Sequence, residues 1–181
     1  SSHCIWRIEN CWIWAWIWIL IHAVVPAAAG ATAGDSNEPL EIRREPVERM
    51  ASVLIQAILD RHHPSRQWEP SKPPSDQSAQ PTGRTAIAVL GLLESGMPVQ
   101  TPQIAAAIQW LNRTPADGTY AIAARLMVWT RLSEGFRPAA EGEARRLLER
   151  FSIEGGGWDY GPRPRARFVD QSLTQFAMQA I

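Results

Sequence analysis

The sequence is poor in cysteine and almost without lysine. Its two cysteines, Cys4 and Cys11, stand near the start, and Lys72 is the lone lysine. Without the leading segment, no disulfide framework and no thiolate metal site can be built from what remains. The 18 basic residues, nearly all arginine, are balanced by 18 acidic ones, so no excess of either sign argues for a nucleic-acid or polyanionic partner. The aspartates, Asp35, Asp60, Asp76, Asp117, Asp159 and Asp170, are isolated from one another. The first methionine is Met50, and Ile181 falls inside an apolar helix that opens near Ser172. We therefore expect a piece of a longer protein, since nothing after that helix caps or stops it.

What is present begins with an apolar, tryptophan-rich stretch. From Cys11 to Val25 the chain is nearly continuously apolar, and Trp12, Trp14, Trp16 and Trp18 alternate with Ile and Ala. A small-residue run, Ala27 to Ala33, follows. An apolar core of roughly 15 residues before an Ala-x-Ala run suits a secretory leader better than a spanning helix, which needs about 20. Arg7 is the only basic residue ahead of it, offset by Glu9. Three readings stay open for 1–33: a cleaved signal, a retained N-terminal anchor, or upstream sequence that is not translated. Export or membrane attachment is the expectation. Residues 34–45 read as a linker.

From Pro46 the periodicity turns helical. Val47, Met50, Ala51, Leu54, Ile55, Ile58 and Leu59 follow three-four spacing, with Glu48, Arg49 and Gln56 opposite. Residues 62–83, rich in Pro, Ser and Gln, read as an insertion, because about 20 unstructured residues are uncommon inside a compact domain. Thr85 to Leu93 is apolar all round, as is much of Tyr120 to Leu132, interrupted mainly by Arg125 and Arg131. Helices without a polar face are buried on every side. Between them Thr101-Pro102 opens a helix that presents Ile104, Ala105, Ile108 and Leu111 on one face. After Arg137-Pro138, Ala144, Leu147, Leu148 and Phe151 line one face of a strongly charged helix.

The order is thus amphipathic then buried, three times over. Each step passes through a turn: Gln67-Trp68-Glu69, Asp117-Gly118-Thr119-Tyr120, and Gly156-Gly157-Trp158-Asp159. That is an internal repeat of one helix pair, spaced from roughly 35 residues to somewhat over 50 across the insertion. Stacked pairs bury one helix of each and leave the other outside, which predicts an all-α fold.

Gly-Gly-Trp158-Asp-Tyr160, followed after a loop by Asp170-Gln-Ser172-Leu-Thr174-Gln-Phe176-Ala177, resembles the prenyltransferase and squalene-hopene cyclase repeat superfamily. Thr85-Ala-Ile-Ala-Val-Leu90 and Thr119-Tyr-Ala-Ile-Ala-Ala-Arg125 extend the resemblance across 46–181. It implies an α/α toroid of outer amphipathic and inner apolar helices, incomplete in this chain. The nearest style is that of exported bacterial members in which a toroid precedes a further domain. The cyclase branch protonates a polyprene from an Asp-x-Asp-Asp motif, and no such run is present. The protein-prenyltransferase branch holds zinc through Asp, Cys and a later His. Here Asp170 matches the carboxylate, but Ser172 stands where the thiolate would be, and a neutral hydroxyl is a poor zinc ligand. The reactive Cys-Gly-Glu-Gln of thioester toroids is absent too.

No catalytic residue, metal site or cofactor is therefore assigned. Trp158, Tyr160, Asp170 and Ser172 are the candidate cavity or ring-mouth residues. For Asp170 and Ser172 helix capping is the favoured role over orienting a ligand. For Trp158 and Tyr160 packing of the turn is favoured over lining a cavity for a polyprene or glycan. Arg163, Arg165 and Arg167 read as a solvated loop, and His62-His63 as the favourable C-terminus of an exposed helix. Trp110 and Trp129 are assigned to the core. The functional expectation is an exported or membrane-anchored protein whose toroid is a non-catalytic binding or assembly module. Its partners would be a lipid, polyprene or glycan, or other envelope proteins, and not nucleic acid. The alternative is a terpenoid cyclase whose acid motif lies beyond Ile181.

Overall fold

The computed structural model describes residues 44–72, 80–160 and 169–181. The leader 1–33, the linker apart from its last two residues, and Arg163, Arg165 and Arg167 lie outside them. Among the described residues the regular structure is six α-helices and one short 3-10 turn, with no strand. They are α1 (Arg44–Asp60), α2 (Gly83–Glu94), α3 (Pro102–Arg113), α4 (Thr119–Thr130), α5 (Arg137–Glu149) and α6 (Gln171–Ala180). The chain divides into two compact units, Ser1–Ile55 and Gln56–Ile181. In the first, α1 begins two residues ahead of Pro46 and exposes Met50, Val53 and Leu54.

In the second unit the hub is α4. It packs against α2 on one side and α6 on the other, and α5 lies along it, while α3 packs on α2. Helices α2, α4 and α6 are therefore successive neighbours, with α3 resting on α2 and α5 on α4. The sequence explains the arrangement. Ala121, Ile122, Ala123, Ala124, Leu126, Val128 and Trp129 of α4 are buried, leaving no solvent stripe. Small residues allow close approach: a Cβ on Gly83 of α2 would lie 3.6 Å from Ala121. Outside, α3 buries Ile104, Ala107, Ile108 and Leu111, so Ala107 takes the place expected of Ala105, which is half-buried.

Three local expectations need correction. Thr101 stands at the N-cap of α3, but its side chain makes no capping hydrogen bond; Pro102 in the first turn starts the helix. α1 ends at Asp60, so His62 and His63 belong to the following turn, where His62 Nε2 lies 2.7 Å from Gln67 Oε1. The inward face of α5 is not its row of large apolar residues. Leu147 and Glu143 are buried, whereas Leu148 is 58% exposed and Phe151 lies at the surface. Glu143 faces inward because a buried arginine on α4 awaits it.

Candidate functional site

Two of the three joins between outer and inner helix have one geometry. In the first, the Trp68 indole Nε1 donates to the Ile58 carbonyl of α1 at 2.7 Å, and its backbone N donates to Thr85 Oγ1 of α2 at 3.4 Å. In the third, Trp158 Nε1 donates to Leu147 O of α5 at 2.7 Å, and its backbone N to Thr174 Oγ1 of α6 at 3.0 Å. Each turn is closed by an isolated antiparallel bridge, His63 with Gln67 and Ser152 with Gly157. A second ring meets each indole edge-on, His62 at 4.9 Å and Phe151 at 4.8 Å. The indole adds a second donor to a helix-end carbonyl that already accepts a backbone N–H, Arg61 N to Ile58 O at 3.2 Å and Arg150 N to Leu147 O at 3.1 Å, and the tryptophan's own amide is satisfied by the helix that follows. At the third join a glycine stands beside it, where a Cβ on Gly157 would come within 2.5 Å of Thr174 Oγ1; the first join has Gln67 at the matching position.

The second join has no tryptophan, and arginines hold it. Arg125 of α4 donates from Nη1 to Thr114 O at 2.7 Å and pairs through Nη2 with Glu143 Oε1 at 2.9 Å. Arg146 meets the other Glu143 oxygen at 2.9 Å and donates to Ala116 O at 2.7 Å. Arg150 pairs with Asp117 at 3.1 Å. Burial pulls Arg125 below the ordinary arginine pKa, Glu143 opposes that shift, and Arg146 adds to it. The guanidinium also lies 5.6 Å from the ring centre of Trp129, which stacks on Phe136. In the sequence Arg125 interrupts an otherwise apolar helix. That interruption was the available signal.

Trp158 is buried, 4% exposed, and its indole N–H is committed to Leu147, so it packs the turn. Asp170 caps α6: Oδ1 accepts from Leu173 N at 2.8 Å and from Ser172 Oγ at 2.6 Å. Ser172 Oγ also lies 3.3 Å from the Tyr120 hydroxyl. Since the serine proton points to Asp170, Tyr120 is the donor, and the chain runs Tyr120 O–H to Ser172 O–H to Asp170 carboxylate. Tyr120 faces Tyr160 at 6.0 Å and Phe176 at 5.1 Å between ring centres. The structure thus brings Tyr160, Asp170 and Ser172 together at the starts of α4 and α6 and adds Tyr120 and Phe176, which were not singled out. Three half-buried rings form a shelf beside a hydroxyl–carboxylate chain. A shelf of this kind can stack a flat or apolar face and hydrogen-bond a hydroxyl.

Two other polar features lie nearby. Glu69 Oε1 accepts from Thr85 N at 3.0 Å and from Thr85 Oγ1 at 2.9 Å. Burial raises its pKa despite those bonds and the nearby Arg84, which favour the carboxylate. Gln80, at the end of the insertion, accepts from Ala121 N at 3.1 Å and so reaches the start of α4. There Gly118 has φ +90°, and a Cβ on it would lie 2.6 Å from the Gln80 amide. Among the described residues no three His, Cys, Asp or Glu side chains gather as metal ligands, and no helix is long and apolar enough to cross a membrane. An open groove of about 710 Å³ runs along α6, lined by Gly155, Val169, Gln175 and Met178 among others. No family model, curated protein or solved structure matches the chain.

Proposed function

We propose that the protein is a non-catalytic binding module, a partial α/α toroid that holds a hydroxyl-bearing apolar ligand, a polyprenol or a glycan, at the shelf of Tyr120, Tyr160 and Phe176. The observation that carries this reading is the placement of three half-buried rings beside the Tyr120–Ser172–Asp170 chain. The rings accept an apolar face, and Ser172, exposed at the edge, offers the polar contact. Asp170 serves this role as a fixed acceptor, since its Oδ1 is held by the α6 cap. In a protein exported or anchored through residues 1–33, the ligands within reach would be those of the cell envelope.

Incubating delipidated protein with an envelope extract and recording native mass spectra tests the reading. A retained polyprenol or oligosaccharide supports it. Tyr160→Ala should then weaken retention roughly tenfold, the scale of one lost ring contact, while exposed Val99→Ser should leave it unchanged. Protein that takes up neither ligand class refutes it.

A further inference from the structure

Asp117 and Gly118 lie in the turn between α3 and α4, and they are the chain's one Asp-Gly pair. The Gly118 amide donates to the carboxylate just before it, at 3.0 Å from Asp117 Oδ1. Arg150 Nη2 holds the same oxygen at 3.1 Å. The arginine side chain is 11% exposed and the aspartate 69%, so a nearly buried guanidinium fixes a carboxylate that water reaches. Gly118 has φ +90° and stands at the N-cap, which leaves its amide ahead of the helical bonds of α4. A backbone nitrogen, a carboxyl carbon and water therefore meet in one place. No side chain on residue 118 crowds them.

The other aspartates among the described residues lack this combination. Asp60 accepts from Gln56, and the amide that follows it, Arg61 N, is bound to Ile58 O. Asp170 spends its Oδ1 on Leu173 N and Ser172 Oγ, the cap of α6. Asp159 comes nearest, since Tyr160 N donates to its Oδ1 at 2.6 Å. Yet residue 160 there carries a ring whose centre lies 6.0 Å from that of Tyr120. Closing a ring of backbone and side chain at Asp159 would have to swing that aromatic group; at Asp117 it swings nothing.

We propose that Asp117-Gly118 is a site of spontaneous backbone modification, at which the folded protein converts aspartate to isoaspartate through a succinimide. Gly118 N attacks Asp117 Cγ, its proton passes to solvent, and the hydroxyl of the protonated carboxyl leaves as water. Water then adds to one of the two imide carbonyls. Addition at Cγ restores aspartate. Addition at the former backbone carbonyl breaks its bond to Gly118 N, so the main chain now runs through Cβ and Cγ and is longer by one methylene. The place has no slack for it: the position a Cβ would take on Gly118 is 2.6 Å from the Gln80 amide, and Gly118 O accepts Ile122 N at 3.1 Å in the first turn of α4. Conversion therefore loosens the start of the helix on which α2, α5 and α6 pack. The proposal is independent of the ligand reading.

Holding the folded full chain at neutral pH in heavy-oxygen water, then digesting it with trypsin in ordinary water, tests the proposal by mass spectrometry. Each passage through the imide takes one oxygen from solvent. Peptide 114–125, which carries Asp117, should gain heavy oxygen and split into two chromatographic isomers. Peptide 151–165, which carries Asp159, should do neither. The folded protein should react at least as fast as the same chain held in urea, because the fold keeps the nitrogen at the carboxyl group. Asp117→Asn, checked for unchanged helical circular dichroism, should lose ammonia through the same ring faster than the wild type takes up label. Absence of label at Asp117, equal label at Asp159, label that appears only in urea, or a stable Asp117→Asn each overturns the proposal.

Discussion

Glu143→Gln is the sharpest perturbation of the fold. The carboxylate is 6% exposed and bridges two arginines, Arg125 at 2.9 Å and Arg146 at 2.9 Å. Arg125 itself is 9% exposed at the side chain, so removing the negative charge leaves a guanidinium buried against a neutral amide. Breaking one side of a buried pair costs about 3–5 kcal/mol. Because the Gln oxygen can still accept from one arginine, and Arg125 keeps its bond to Thr114 O, the lower figure of about 3 kcal/mol applies. With a urea slope of about 1–3 kcal/mol per molar, the midpoint should fall by about 1–3 M. The measurement is urea unfolding followed by helical circular dichroism. The double replacement Arg125→Met with Glu143→Leu removes both charges and should recover most of the loss, short of about 1 kcal/mol for the orphaned Thr114 carbonyl. A Glu143→Gln midpoint within about 0.3 M of wild type, under about 1 kcal/mol by the same slope, would refute the reasoning. So would a double variant no more stable than the single.

Other outcomes follow from the joins. Trp158→Phe removes the indole hydrogen bond to Leu147 O, which keeps its bond from Arg150 N, and should cost about 0.5–1.5 kcal/mol in urea unfolding; Trp68→Phe, at a half-buried site, should cost less. Gly118→Ala should destabilise by about 1–3 kcal/mol, because φ is +90° and the methyl meets Gln80; thermal unfolding of Gly118→Ala with Gln80→Ala should recover only the steric part. For Glu69 the folded pKa is raised, so the folded state binds the proton more tightly than the unfolded state. Stability at this group is greatest below the unfolded value near 4.5 and falls as pH rises through the folded pKa. The melting-temperature gain of Glu69→Gln over wild type should therefore grow with pH above 4.5 and then level off, and a gain that shrinks with pH contradicts the assignment.

Helix identity was legible because the periodicity of α1 and α3, and its absence in α4, follow directly from which faces meet water. The joins at Trp68 and Trp158 were legible as repeats from a tryptophan turn between an amphipathic and an apolar segment. Their hydrogen bonds were not, since these link residues 10 to 17 positions apart whose approach depends on helix packing. α5 misled for a related reason. Local pattern placed Leu148 and Phe151 inward, but a buried Glu143 satisfies Arg125 from the neighbouring helix, and no pattern within α5 announces a partner on α4. Of the candidate site, Asp170 and Ser172 were readable as a cap from the helix start they precede. The rings of Tyr120 and Phe176 were not, because they meet only after α4 and α6 lie side by side.

The position of α4 as the shared neighbour of α2, α5 and α6 sets how the molecule breathes. An amide in α3 can exchange with solvent once that one outer helix peels from α2. An amide in α4 can exchange only when three separate interfaces give way together. Protection against deuterium should therefore peak at the middle of α4 and decline outward along the stack in both directions. The slowest-exchanging helix would be one that carries none of the conspicuous tryptophan turns and, at Arg125, a charge.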